Sequence, residues 1–305
     1  MVPLAVPFNS FANALVLIGN CVLATVIVVL NALVFTSIII TRSLRRENRF
    51  IYMMSTCISD FGTGVSWYYV GLFDVEDVPH GKNNCYFIAS SFLGLSYLVI
   101  LAAQADRYHA IVSPFRYAQR MSTTRTLLVI CCLWLYTYIN LAIQNLISSS
   151  AHLLWHSTGT LICNIITLVI MIGLNTKLCF IAKFQIEREP PSEERESKRA
   201  SLYLIIVVVG FFLLFWMPVF MYIVICYLTT VKCYKFENSG TDPLKILARI
   251  NCAVTPFLYV RGCAPLKAVL YQRVLRCGLK QQRKLNSGAN KRANSIECVE
   301  AICNK

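Results

Sequence analysis

Residues Thr126 to Thr176 run for 51 positions without an Asp, Glu, Lys or Arg. Met1 to Thr41 and Asn83 to Ala105 are also free of them. A soluble domain draws about a quarter of its residues from these four types, whereas this chain of 305 residues is 14% charged and 56% apolar. A helix crossing the hydrocarbon core of a bilayer needs about 20 apolar residues, so the 51-residue run holds two spans. Inside lipid every backbone N–H and C=O must bond internally, and long runs rich in Leu, Ile, Val and Phe meet that demand as helices rather than barrel strands. The expected class is an all-α membrane protein.

Seven spans are expected, at roughly 13–41, 48–73, 85–113, 124–148, 158–183, 200–229 and 243–262. The first lacks a basic start and closes on Arg42, Arg45, Arg46 and Arg49, which favours a retained span over a cleaved signal segment. Alternate connections, with the tail, hold 24 of the 29 Lys and Arg residues. The basic side of a membrane protein faces the cytoplasm, so the N-terminus is expected outside and the C-terminus inside. The net charge of +14 is then a topology signal, and nucleic-acid binding is not needed to explain it. The expected organisation is an extracellular leader at 1–12, a seven-helix domain at 13–262, an interfacial helix at 263–279 and a disordered tail at 280–305. In the interfacial stretch Leu266, Val269, Leu270 and Val274 share one face opposite basic residues.

Asp106-Arg107-Tyr108 closes the third span and leads into Pro114, Phe115 and Tyr117, spelled D-R-Y-H-A-I-V-S-P-F-R-Y. On its own, a charged triplet ending an apolar run marks a stop at the headgroups. Further fragments follow the same pattern along the chain: Asn31 in L-N-A-L-V, Asp60 in I-S-D-F, Trp134, F-W-M-P from Phe215 to Pro218, and T-P-F-L-Y from Thr255 to Tyr259. In this order and spacing they resemble the rhodopsin family of G-protein-coupled receptors over about residues 15–278. The resemblance implies a seven-helix receptor of the plasma membrane that binds an extracellular ligand, activates a heterotrimeric G protein, meets arrestin, and is not an enzyme. No subfamily is assigned.

Asp60 is the one acidic residue in mid-membrane, and an ionisable group there is costly and marks function. The resemblance places Asn31, Ser96, Trp216, Asn251 and Thr255 around it as an allosteric sodium pocket, with Thr255 standing where the family has Asn. The other reading is a structural acid held by hydrogen bonds. Pro218 removes a backbone donor and kinks its helix, with Trp216 at the kink. The family's activation switch maps onto Phe212, Trp216, Pro218, Pro256 and Tyr259. Asp106, Arg107, Tyr108, Pro114 and Phe115 are the implied G-protein contacts. Lys198 stands where the family has a second acid to hold Arg107, and Glu196 is off register, so a weak inactive lock and appreciable basal signalling are expected. The fifth span also lacks the family's Tyr and Pro.

Ala89 occupies the site where amine receptors carry an Asp, which argues against an amine ligand. Lys245 and Arg249 lie four apart, hence on one helix face. Arg249 stands where opsins carry their retinal-bound Lys, and a guanidinium is a poor Schiff-base former. Two readings stand: the pair binds an anionic small molecule or lipid, or Lys245 snorkels while Arg249 pairs with an acid such as Asp242. A cluster of Asp74, Glu76, Asp77 and His80 reads as a solvated loop. Cys57, Cys131, Cys132, Cys179 and Cys252 fall in spans and read as small apolar residues. Cys226 and Cys233 are close enough in sequence for a loop bridge, and the resemblance implies one from Cys85, with Cys163 as its partner. Cys277 is a palmitoylation candidate. The tail has few Ser and no Thr, which limits phosphorylation-driven arrestin binding. The competing functions are a non-signalling seven-helix scaffold and a transporter, the latter with a thin intramembrane path of Asp60 and Arg249 alone.

Overall fold

A computed structural model describes residues 4–6, 8–73, 88–146, 150–184, 192–228 and 240–271. Ten helices run through them: α1 (Phe11–Ile39), α2 (Arg42–Arg45), α3 (Asn48–Val70), α4 (Ile88–Val112), α5 (Pro114–Arg120), α6 (Thr123–Leu146), α7 (Ser150–Phe184), α8 (Glu193–Leu228), α9 (Pro243–Gly262) and α10 (Ala264–Val269). Seven are long, and these form the bundle expected from the sequence. Among the described residues the β-structure is one isolated bridge, Leu4 to Phe73. The helix ends are written in local chemistry. The Ser10 hydroxyl accepts from the Asn13 N–H to cap α1. Asp242 caps α9, with Pro243 at the first helical position where its missing N–H costs nothing.

α7 begins at Ser150, so the helix takes in residues expected to form a loop before 158. α8 likewise begins at Glu193 rather than near 200. Both extensions continue an unbroken helical ladder, and a hydropathy boundary marks where lipid ends, not where the helix does. α2 and α5 are short helical turns at the Asp106 end of the bundle. α10 carries Leu266 into the core, packed with Val34, Ile38, Phe50 and Tyr259. Val274 and Cys277 lie outside the described residues.

The bundle carries apolar side chains on its outer face as well as in its core. Leu128, Leu135, Val169 and Leu214 are all more than half exposed. Water would penalise such a surface, and a monomeric soluble protein avoids it; lipid tails accept it. Among the described residues, four segments are long and apolar enough to cross a membrane by themselves: Phe11–Ile39, Thr123–Ile143, Leu161–Phe184 and Arg199–Tyr222. α3 and α9 are less apolar because their polar residues turn inward. Thr56, Ser59, Asp60 and Thr63 on α3 and Arg249, Asn251 and Thr255 on α9 are all buried. One core cluster joins α4, α7 and α8 through Tyr97, Ile100, Met171, Leu178, Val209 and Phe212. A second joins α1, α3, α8, α9 and α10. α1 and α3 approach so closely that a Cβ on Gly64 would meet Ile27 Cγ2 at 2.8 Å.

Candidate functional site

Three polar assemblies are strung along the bundle. The central one forms where α1, α3, α4 and α9 meet. Asp60 is fully buried, and the Ser96 hydroxyl donates to its Oδ1 at 2.6 Å. Asp60 Oδ2 has no hydrogen-bond partner. Cys252 is buried on the same side of α9, in a cluster with Ile27 and Leu93. Pro256 sits inside α9 and has no N–H to give to the carbonyl four residues back, which is that of Cys252. Asn31 supplies the missing donor: its Nδ2 gives to Cys252 O at 3.0 Å and to Ile27 O at 2.9 Å. Its Oδ1 is left without a partner, as is Oδ1 of buried Asn251. The Thr255 hydroxyl donates back to the Asn251 carbonyl at 2.9 Å.

Of the neighbours expected around Asp60, Ser96 is thus in direct contact. Asn31 and Asn251 present unpartnered oxygens in the same region, and Trp216 packs with Ile27, Leu93 and Cys252. Three buried oxygens of these residues lack a hydrogen-bond partner: Asp60 Oδ2, Asn31 Oδ1 and Asn251 Oδ1. Unsatisfied buried oxygens cost free energy, and oxygen donors of this kind suit a hard cation. Through its carbonyl, Cys252 is a part of the site that its sequence context does not reveal.

Beside this pocket, four rings form a stack. Trp216 lies 5.6 Å from Phe212 and 5.5 Å from Phe220 between centroids, and Tyr97 of α4 lies within 5.5 to 6.5 Å of all three. The Tyr97 hydroxyl donates to Asn164 O on α7 at 3.2 Å. Pro218 falls inside α8, between Trp216 and Phe220. The expected switch residues on this helix therefore pack as one unit across the proline.

The second assembly sits where α4 ends. Arg107 Nη2 bonds Asp106 Oδ2 at 2.9 Å, and Asp106 is almost wholly buried. The Tyr117 hydroxyl on α5 donates to Asp106 Oδ1 at 3.0 Å and accepts from Asn48 Nδ2 at 3.1 Å. Burial, with the Asp106 carboxylate close by, pushes the Tyr117 phenol above the usual tyrosine range, so it stays a donor. Glu196 takes no part in the Arg107 pair, and the side chain of Lys198 lies outside the described residues. Arg107, Arg49, Tyr52 and Tyr259 line a cleft whose far wall is Leu204, Ile205 and Val208 of α8. Pro114 starts α5, and Phe115 next to it is 86% exposed. Tyr108 lies under Lys177 of α7, with Nζ 5.9 Å from the ring centroid.

The third assembly lies at the opposite end. Arg249 is buried at 4% exposure, its guanidinium 3.9 Å above the ring of Trp67 on α3, and its Nη1 donates to Lys245 O at 2.8 Å. Asp242, the acid expected as a partner for Arg249, instead accepts from the backbone N–H of Leu244 and Lys245. Asn20 of α1 ties this end together, donating to Gly240 O at 2.9 Å and reaching Gly71 O at 3.4 Å. Ala89 falls in the first turn of α4. Cys163 is a free thiol within α7, and Cys226 lies in α8. Cys85, Cys233 and the Asp74, Glu76, Asp77 and His80 group lie outside the described residues.

Seven long helices with apolar outer walls around a buried acid and an aromatic stack that spans a proline make a seven-helix membrane protein. Residues 30–259 match the family described as 7 transmembrane receptor, rhodopsin family, and the chain belongs to it. That family is one of receptors and is not enzymatic. A bombesin receptor of Bombina orientalis is 23% identical over 204 residues, which cover 56% of this chain and 52% of the relative. The chain thus spans about half the length of the curated relative it matches.

Proposed function

We propose that this receptor binds an extracellular ligand at the Arg249 end and activates a heterotrimeric G protein at the Asp106 end. The observation that carries the reading is the pair of buried Asp106 with half-buried Arg107 beside the cleft lined by Tyr259 and α8. Separation of α8 from α4 and α9 widens that cleft, frees the guanidinium and admits a partner helix. Phe115, exposed beside it, offers an apolar contact to the same partner. The Lys and Arg distribution supports placing the Asp106 end in the cytoplasm of the plasma membrane. At the other end, the fixed charge of Arg249, with Lys245 one turn away, favours a carboxylate- or phosphate-bearing small molecule or lipid. The acceptor-rich pocket at Asp60 is read as an allosteric sodium site held by Asp60, Asn31 and Asn251, with Ser96 and Thr255 at its edge. Palmitoylation at Cys277 and a limited arrestin interaction belong to the same reading.

A G-protein dissociation assay across the G-protein classes tests it, with basal and ligand-panel arms and an Arg107→Ala control. The expected result is basal or ligand-evoked dissociation that the substitution changes. No response from any G protein, with the control indistinguishable from the parent, removes the mechanism.

A further inference from the structure

We infer that the cleft between Arg49 and Arg107 binds a small planar oxyanion of the carboxylate type, and that this anion holds the cleft closed. The closing role rests on reading the cleft as the G-protein end; the binding does not. Two guanidinium groups line the cleft, Arg49 of α3 and Arg107 of α4, together with the hydroxyl-bearing side chains of Tyr52, Ser201 and Tyr259. Among the described residues no acid lines it. Each arginine has one acid, and neither acid belongs to the cleft wall: Arg107 Nη2 meets Asp106 Oδ2 at 2.9 Å, and Arg49 Nε meets Glu47 Oε2 at 2.7 Å. Arg107 Nε is buried and has no hydrogen-bond partner.

A guanidinium carries five N–H donors and no acceptor. Two of them on one cleft, with a single acid each, leave more donors than the chain answers. Water can accept from them, but only an anion also offsets the two like charges. Size then narrows the class. The cavity is about 30 Å³, room for two or three water-sized groups at roughly 10–15 Å³ each. The three heavy atoms of a carboxylate fit, and a larger tetrahedral phosphate does not. The planar fork of a guanidinium also matches a planar oxyanion in geometry. Location supplies the consequence. Ser201 belongs to α8, so an anion held by Arg49, Arg107 and the Ser201 hydroxyl ties α8 to α3 and α4. Separation of α8 from α4 must break that tie, so the bound anion opposes opening and lowers basal activity.

The test titrates sodium formate against sodium gluconate, at equal ionic strength, into the full chain in nanodiscs. Gluconate carries the same carboxylate on a body too large for the cavity. The unfolding temperature is expected to rise saturably with formate and not with gluconate, and Arg49→Gln to lose the response. Over the same formate range, basal nucleotide exchange on an added G protein falls several-fold in the parent and stays constant in Arg49→Gln. Equal unfolding curves in the two salts, or a formate response that survives Arg49→Gln, overturn the inference. Exchange that is present but unchanged at saturating formate overturns the closing role. A saturable, Arg49-dependent response in a protein with no exchange at all upholds the anion site and removes the G-protein reading instead. Should Arg49→Gln not fold, the unsubstituted protein answers through the ¹³C line of labelled formate. Broadening beyond that in empty nanodiscs, reversed by excess unlabelled formate but not by gluconate, supports the site, and a line no broader than in empty discs overturns it.

Discussion

Asn31 of α1 donates to the carbonyl of Cys252 on α9 at 3.0 Å, the carbonyl that Pro256 leaves without its helical donor. A proline inside a helix costs about 3 kcal/mol or more in part through such an orphaned acceptor. Here a side chain from another helix fills the place. Asn31→Ala is expected to destabilise the protein by about 1–3 kcal/mol, the penalty for an unsatisfied buried polar group. Thermal unfolding of the purified receptor measures it. A variant as stable as the parent would show that water serves the carbonyl equally well.

Tyr117 hydrogen-bonds Asp106 from outside the helix that carries Arg107. Tyr117→Phe removes that bond and leaves Asp106 to Arg107 alone. The variant is expected to lose about 1–2 kcal/mol, since the acceptor is a charged group. The phenol is raised in the folded state, so its contribution is complete below the ordinary tyrosine value of about 10 and is lost as pH climbs past it. The stability gap between parent and variant should therefore be constant from neutral pH up to that point and shrink above it. A gap that grows with alkalinity contradicts the assignment.

Arg249 sits over the ring of Trp67, its guanidinium carbon 3.9 Å from the centroid. An ammonium cannot reproduce the planar stack or the fork of donors, so Arg249→Lys is expected to lower stability by about 1 kcal/mol despite keeping the charge. Comparing Arg249→Lys with Arg249→Met in the same unfolding assay separates stacking from charge. If lysine restores full stability, the stack contributes little.

Phe115 touches little of its own chain. Phe115→Ala should leave thermal stability within about 0.5 kcal/mol of the parent, as exposed substitutions do. Its expected effect is on nucleotide exchange by an added G protein, slowed with the unfolding temperature unchanged. Unaltered exchange would exclude Phe115 from the partner surface.

The architecture was readable because lipid imposes one rule on composition over long stretches, and Thr126 to Thr176 obeys it without exception. Helix ends were not readable in the same way: α7 starts at Ser150 because hydrogen bonding, unlike hydropathy, continues beyond the lipid. Asp60 with Ser96, and Asp106 with Arg107, could be anticipated from spelling. The Cys252 carbonyl under Asn31 could not, since the two are far apart in the chain and a cysteine in an apolar run looks like packing. Trp67 under Arg249 was missed for a related reason. An arginine in a span prompts a search for acids, and here the nearby acid Asp242 caps a helix while an aromatic face takes the cation.

Trp216 is packed among Tyr97, Phe212 and Phe220, rings that lie on both sides of Pro218 and on a neighbouring helix. Any rotation of one half of α8 against the other must change how the indole overlaps its neighbours. Its fluorescence depends on that overlap, and only three other tryptophans share the background: Trp67, Trp134 and Trp155. The unlabelled chain thus carries its own spectroscopic reporter of movement in α8, placed beside the proline inside that helix.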